Sequence, residues 1–280
     1  MPLIGYHTSI QGGYSKASER AKELDLDTYQ LFLSSPKIWN YPELTTDAIK
    51  LFKDENNKNQ FPNTTIHMGY LVNPSSGDLQ IQSKSQKAFL TEITYADKLG
   101  VTNIVIHIGS HKGLGFDFAL NNIKDILNQA IELKPNVNLL LETASGFKNS
   151  VGSSFEELDF ILSSVDYHDK IGICFDTCHV FAAGYDISSE LEVLKTLRQF
   201  DDIVGLDRIR AIHLNDSKEK LGKGKDLHEH IGLGNIGEEG FKTLLNYDKF
   251  KKLPFILETP SNQIRNTKEN ISFVRSLLQN

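Results

Sequence analysis

Short β-branched apolar runs alternate along this chain with longer stretches whose apolar residues recur every three or four positions. The runs read as strands: Leu3–His7, Thr28–Leu33, Thr64–Met68, Asn103–Ile108, Asn138–Thr143, Gly172–Thr177, Arg210–Leu214 and Phe255–Thr259. The stretches between them read as amphipathic helices. Phe155, Leu158, Ile161 and Leu162 share one helical face, and Ser154 with Glu157 predicts a capping box at its start. Phe89, Ile93, Ala96 and Leu99 form another such face, with Gly100 placed to end the helix. Eight strands in 280 residues give one strand–helix unit per roughly 35 residues, the rhythm of a parallel α/β fold. The even unit length favours closure into a (β/α)8 TIM barrel, a single domain over residues 1–280, above the rival open, doubly wound sheet.

Polar residues break this pattern at one recurring place. Six consecutive strands end on His67, His107, Glu142, Asp176, His213 and Glu258. In a TIM barrel the C-terminal strand ends form the active-site face. Alternation sets each of these side chains opposite its apolar neighbour, so if the neighbours face the helices the polar set points into the barrel mouth. One such residue alone is more often a satisfied structural group than a ligand. Three imidazoles and three carboxylates buried in one cavity are different, because without a countercharge they would be very costly.

Metal ions supply that countercharge. His179 follows Asp176 by three residues, and Asp226-Leu227-His228 adds a D-x-H pair whose alternate side chains can face one way. Nine candidate ligands exceed the four of one tetrahedral zinc and suit two or three ions sharing carboxylates. Nitrogen and oxygen donors without thiolate favour zinc, with Mn2+ or Fe2+ able to substitute.

Composition changes this picture little. The chain is 39% hydrophobic and 24% charged, ordinary for a soluble globular protein. No apolar run is long enough to span a membrane, and Met1–His7 has no basic region ahead of an apolar stretch. No signal peptide is therefore expected, and a cytoplasmic location is. Cys174 and Cys178 lie four positions apart, too few for a disulfide framework, and read as small buried fillers. The formal net charge of −6 argues against a polyanionic partner, but three divalent ions (3 × 2 = +6) would cancel it. His7 reads as lining the same barrel face, His111 and His230 as candidate outer partners of the ligands, and His168 as a solvated turn residue. The lysines of Lys218–Lys225, set among glycines, read as a solvated flexible loop able to touch phosphate.

Several long segments resemble endonuclease IV-type AP endonucleases, in the same order along the chain. They are Gly5–Ser9, His67–Asn73, Asp176-Thr-Cys-His179 with Ala182-Ala-Gly-Tyr-Asp186, His213–Lys218 with Gly222, and Asp226-x-His228 followed by Ile231–Gly237. The resemblance covers nearly the whole chain. It implies three zinc ions: one on His67, His107 and Glu142, one on Asp176, His213 and Glu258 with Glu142 bridging, and one on His179, Asp226 and His228. It also implies hydrolysis of double-stranded DNA 5′ to an abasic site, leaving a 3′-hydroxyl and a 5′-deoxyribose phosphate. The attacking water would have its pKa lowered toward about 7, with Glu142 and Glu258 orienting it. A monomer is expected. Tyr70 and Leu71 become candidates for a wedge that fills the opened base stack. Lys37 stands where the family more often has Arg; it keeps the charge without the planar fork. Pro74 after Asn73 also departs from the usual pattern and stiffens that loop. Two rivals compete with this reading: a metal-dependent sugar isomerase or epimerase on a similar barrel, normally with one or two ions, and a damage-binding protein without chemistry.

Overall fold

Eight parallel strands close into a barrel in the computed structural model, which describes residues 1–133, 135–166 and 168–279. The strands are β1 (Leu3–His7), β2 (Thr28–Phe32), β3 (Thr64–His67), β4 (Asn103–Ile106), β5 (Asn138–Glu142), β6 (Ile171–Asp176), β7 (Ile209–His213) and, after a short antiparallel pair, β10 (Pro254–Leu257). The pair is β8 (Asp216–Ser217) and β9 (His228–Glu229), in the loop that follows β7. Each barrel strand pairs with its chain neighbour, and β1 closes the ring against β10. Tyr167 and the side chain of His168 lie outside the described residues. Among the described residues no helix is long and apolar enough to cross a membrane.

Strand alternation divides the core in two. Ile66, Ile106, Leu141, Phe175, Ile212 and Leu257 face outward and pack with the helices in one large cluster. Val105, Leu140, Cys174 and Ala211 form a separate buried cluster inside the barrel. His107, Glu142, Asp176 and His213 each follow one of these inner residues by two positions, so the same phase that fills the barrel floor delivers polar groups to its mouth. Cys174 is one of the fillers, as its size suggests.

Helix ends follow local chemistry. The Leu79–Leu99 helix stops at Gly100, whose φ of 73° is the left-handed conformation a C-terminal cap requires. Ser154 caps the Phe155–Ser164 helix by accepting from Glu157 N–H. The expected reciprocal half of a capping box is absent there. Glu157 instead accepts from the N–H groups of Gly152 and Ser153, at 2.8 and 3.1 Å, because the preceding turn presents those donors first. The reciprocal box occurs at Asn266 and Glu269.

Candidate metal centre

Asp176 ends β6 and caps the Thr177–Ala183 helix, its Oδ1 accepting from His179 N–H at 2.8 Å. That one turn of helix swings the His179 ring back over the barrel mouth. The β8–β9 pair then brings Asp226 and His228 in from the side, with Ser217 opposite His228. Asp216 anchors this excursion by accepting from four backbone N–H groups, those of Ser217, Gly232, Gly234 and Ile236. The lysine-bearing loop is also held, contrary to the flexible loop expected. Gly222 N–H and Gly224 N–H donate to the carbonyls of Phe181 and Ala182, and Lys225 pairs with Glu219 at 2.8 Å.

All nine expected ligands converge. Glu142 sits at the centre: Oε2 is 2.9 Å from His107 Nδ1 and 3.4 Å from His67 Nε2, while Oε1 is 2.9 Å from His213 Nδ1. The same His213 atom lies 3.5 Å from Glu258 Oε2 and 3.7 Å from Asp176 Oδ2. Asp226 stands between His179 Nε2 at 3.0 Å and His228 Nε2 at 2.9 Å. Three groups of potential ligand atoms follow, each within 4.8 Å of one another: His67–Glu142–His213, Glu142–Asp176–His213–Glu258, and His179–Asp226–His228. His213 thus serves two groups, where the resemblance assigns it to one. A further combination places Cys178 beside Asp176 and His228, but burial pushes its thiol pKa up and disfavours the thiolate that a metal would need.

Two features of this geometry fit divalent cations. Glu142 Oε2 and His228 Nε2 are buried without a hydrogen bond of acceptable geometry, although each has a potential partner at 2.9 Å. Ligand atoms crowded this closely with no aligned proton between them are what a shared cation resolves. The imidazoles are also oriented from behind. His67 Nδ1 lies 2.7 Å from the Met68 carbonyl, His179 Nδ1 2.8 Å from that of Thr143, and His228 Nδ1 3.3 Å from that of Glu258. Each keeps Nε2 free to face the centre, the arrangement typical of metal-bound histidine.

The charge state agrees. Burial pushes the Glu142 pKa up, but His107 and His213 outweigh it and hold the carboxyl well below the ordinary range. Burial opposes a charge on His228, yet Asp226 and Asp176 raise it to about 9. His179 is likewise held well above the ordinary imidazole value, against burial, by Asp176 and Asp226. Four carboxylates this close demand positive charge, and divalent ions can take the place of imidazole protons.

Burial grades the cluster from a closed floor to an open side. Glu142, Asp176 and His213 are sealed, whereas the Asp226 side chain is 48% exposed and that of His107 31%. A cleft of about 300 Å3 opens there, lined by Tyr70, His107, Lys112, Glu142, His179 and Asp226. Tyr70 lies on the loop after β3, half exposed, its ring 5.9 Å from His67 and 5.8 Å from His107; Leu71 beside it is half-buried. Lys37 is exposed on the loop after β2, at the same barrel face. The Tyr70 loop is tied to its neighbour by Asn73, which accepts from Ser110 N–H at 3.0 Å and donates to the Ser110 carbonyl at 3.1 Å. Gly109 keeps this approach open: its φ is +93°, and a Cβ there would strike the Asn73 side chain.

From beneath, Gly69 N–H donates at 3.1 Å to Glu92 Oε1, which also accepts from Tyr41 O–H at 2.6 Å. Burial raises the Glu92 pKa to about 7. A carboxyl group that holds its proton more tightly when folded contributes its full stability below about pH 4.5. That contribution is lost as pH rises to 7, a change on the order of 3 kcal/mol. Glu92→Gln keeps the carbonyl acceptor and removes the ionisation. Its melting temperature should exceed that of the parent at pH 8 and match it at pH 5; a variant less stable at pH 8 would contradict this.

Other expected residues have other roles. His111 Nδ1 accepts from the N–H groups of Gly113 and Gly115, and His230 is buried between Asn262 and Asn270. Both brace loops and contact no ligand through these bonds. Two residues without ionisable groups reach the centre: Asn215, whose Nδ2 donates to Asp176 Oδ2 at 2.8 Å, and Gln30 on β2. A search of strand ends for His, Asp and Glu passes over both. The available signal was the inward phase of Gln30 on β2 and the spacing of Asn215, two residues past His213.

A family described as a xylose isomerase-like TIM barrel, AP endonuclease 2, matches residues 18–277. A protein named "Probable endonuclease 4" from Methanoculleus marisnigri is 40% identical over 279 residues, 99% of each chain. The chain belongs to the endonuclease IV family. The crystal structure of endonuclease IV from Thermus thermophilus superposes with a TM-score of 0.85 at 32% identity, covering 99% of this chain and 97% of that one. A D-tagatose 3-epimerase-like protein superposes at a TM-score of 0.74 and 19% identity, over 98% and 95% of the two chains, and shares the fold alone. Membership of the endonuclease IV family, at 40% identity to a relative over 99% of each chain, sets this chain apart from the sugar epimerases that share its barrel.

Proposed function

We propose that this chain is an apurinic/apyrimidinic endonuclease of base excision repair. It hydrolyses the phosphodiester 5′ to an abasic site in duplex DNA, leaving a 3′-hydroxyl and a 5′-deoxyribose phosphate. The observation that carries the reading is the convergence of eight nitrogen- and oxygen-donor residues in three adjoining groups, with His107 2.9 Å from Glu142 beside them, at the mouth of an endonuclease IV-family barrel. His67, His107 and Glu142 would hold one divalent ion, Asp176, His213 and Glu258 a second, and His179, Asp226 and His228 a third, with zinc favoured by the donor set. Bound there, such ions stabilise charge on phosphoryl oxygens and lower the pKa of an attacking water.

The protein's own groups do the rest. Glu142, sealed at the centre, fixes the spacing of the groups. Glu258, whose Oε2 lies 3.5 Å from His213 Nδ1, would help to orient the attacking water through its place in the second group. The exposed side, between His107 and Asp226, receives the phosphate. Tyr70 and Leu71 stand on the rim where an unstacked base step would need support, and Lys37 offers a phosphate contact.

Incubation with a duplex holding one abasic site should give a single cut 5′ to it, with an extendable 3′ end, and leave the intact duplex uncut. Binding without cutting would favour the damage-binding alternative. Epimerisation of ketohexoses without DNA cleavage would favour the sugar-barrel one.

A further inference from the structure

Strand β2 supplies none of the nine proposed ligands, yet its Gln30 is buried in contact with two of them. The Nε2 atom lies 2.8 Å from Glu258 Oε1 and 3.0 Å from His7 Nδ1, and Oε1 lies 2.9 Å from His213 Nε2. These partners fix the amide orientation. Turned over, its carbonyl oxygen would face the Glu258 carboxylate and its NH2 would lose that acceptor. With NH2 donating to Glu258 and His7, the carbonyl needs a donor, and among the described residues a proton on His213 Nε2 provides it.

Two atom choices follow. Gln30 Oε1 keeps a proton on His213 Nε2, so the nitrogen left to ligate is Nδ1, the atom 2.9 Å from Glu142 Oε1 and 3.5 Å from Glu258 Oε2. This is the reverse of His67, His179 and His228, whose Nδ1 atoms face backbone carbonyls and whose Nε2 atoms face the centre. Gln30 also occupies Glu258 Oε1, leaving Oε2 to face His213 Nδ1 and the Asn215 amide, 3.4 Å away. Among the described residues, the hydrogen-bond partner of His213 Nε2 is Gln30 Oε1 and not a backbone carbonyl. A side chain from an otherwise unused strand therefore does for His213 what the backbone does for the other three.

We propose that Gln30 is a positioning residue that selects His213 Nδ1 and Glu258 Oε2 as the ligand atoms for the cation of the Asp176–His213–Glu258 group. The inference rests on the metal reading of the site given above. Two substitutions separate its parts. Gln30→Leu fills similar volume and removes all three hydrogen bonds. Gln30→Glu keeps an acceptor for His213 but turns a carboxylate toward Glu258.

The parent and both variants are loaded with zinc and titrated with a chelator, and the metal retained is measured by elemental analysis alongside the melting temperature of the metal-free proteins. Loss of an outer partner of a metal ligand typically weakens metal affinity by about 10–100-fold. Each variant should therefore release one ion per chain at a chelator concentration lower by about that factor, while the other ions leave as in the parent. Metal-free melting of Gln30→Leu should stay close to that of the parent, and excess zinc should restore part of the incision rate. Unchanged metal retention in both variants would overturn the proposal. Loss of all ions together with metal-free stability would also overturn it, showing a packing role only. A parent protein that binds no zinc would instead remove the metal reading itself, and this inference with it.

Discussion

Asp226→Ala loses one metal ion per chain and at least about 100-fold of the incision rate, while the barrel still folds. The size follows from the role: changes to the outer partners of metal ligands already cost about 10–100-fold, and Asp226 is proposed as a ligand itself. Survival of the fold follows from its place. Asp226 lies on a loop, partly exposed, and its side-chain contacts are His179 Nε2 and His228 Nε2, both proposed to ligate the same ion. His179→Ala should match it in metal loss and rate, with some added cost in stability because His179 is buried. Elemental analysis with incision kinetics checks both variants. Full metal content and a near-normal rate in either would remove the third group from the site.

The double substitution Tyr70→Ala with Leu71→Ala lowers incision of a fully paired abasic duplex by roughly 10–100-fold, the equivalent of the few kcal/mol needed to open a base step. A substrate already distorted opposite the lesion recovers part of that loss. Tyr70 is 54% exposed on the rim with its ring against Phe32 and His67, so its outer face has nothing apolar to cover it until a base step does. Metal content should not change, because neither residue supplies a ligand atom. The half-buried Leu71 should cost only a few degrees of melting temperature. Equal loss on both substrates would remove the wedge role, and a large loss of stability would assign the pair to loop packing.

The barrel and the polar residues gathered at its mouth were legible in the sequence because two simple periodicities coincide. A period of two on the strands puts Val105 under His107, Leu140 under Glu142 and Ala211 under His213, so apolar runs that end on a polar residue reveal both the fold and the mouth. Strand ends were less legible. β4 and β10 stop at Ile106 and Leu257, one residue before His107 and Glu258; Glu258 N–H donates at 2.9 Å to the Asn215 side chain instead of to the ladder. The β8–β9 pair left no periodic trace because each strand is two residues long and depends on Asp216 gathering four N–H groups. Glu157 as a turn clasp and Gln30 as a partner of two ligands depend on which donors the folded chain brings near, which residue spacing does not encode.

The most direct test of the account counts metal and activity in one experiment. The purified protein is stripped with a chelator and titrated with zinc, and the ions bound per chain are measured at each step beside the rate of incision 5′ to a single abasic site. The stripped protein should show no incision, and the full rate should return as occupancy rises toward three ions per chain. Full incision by protein that holds no metal, or a site that saturates at one ion with no incision, would contradict this.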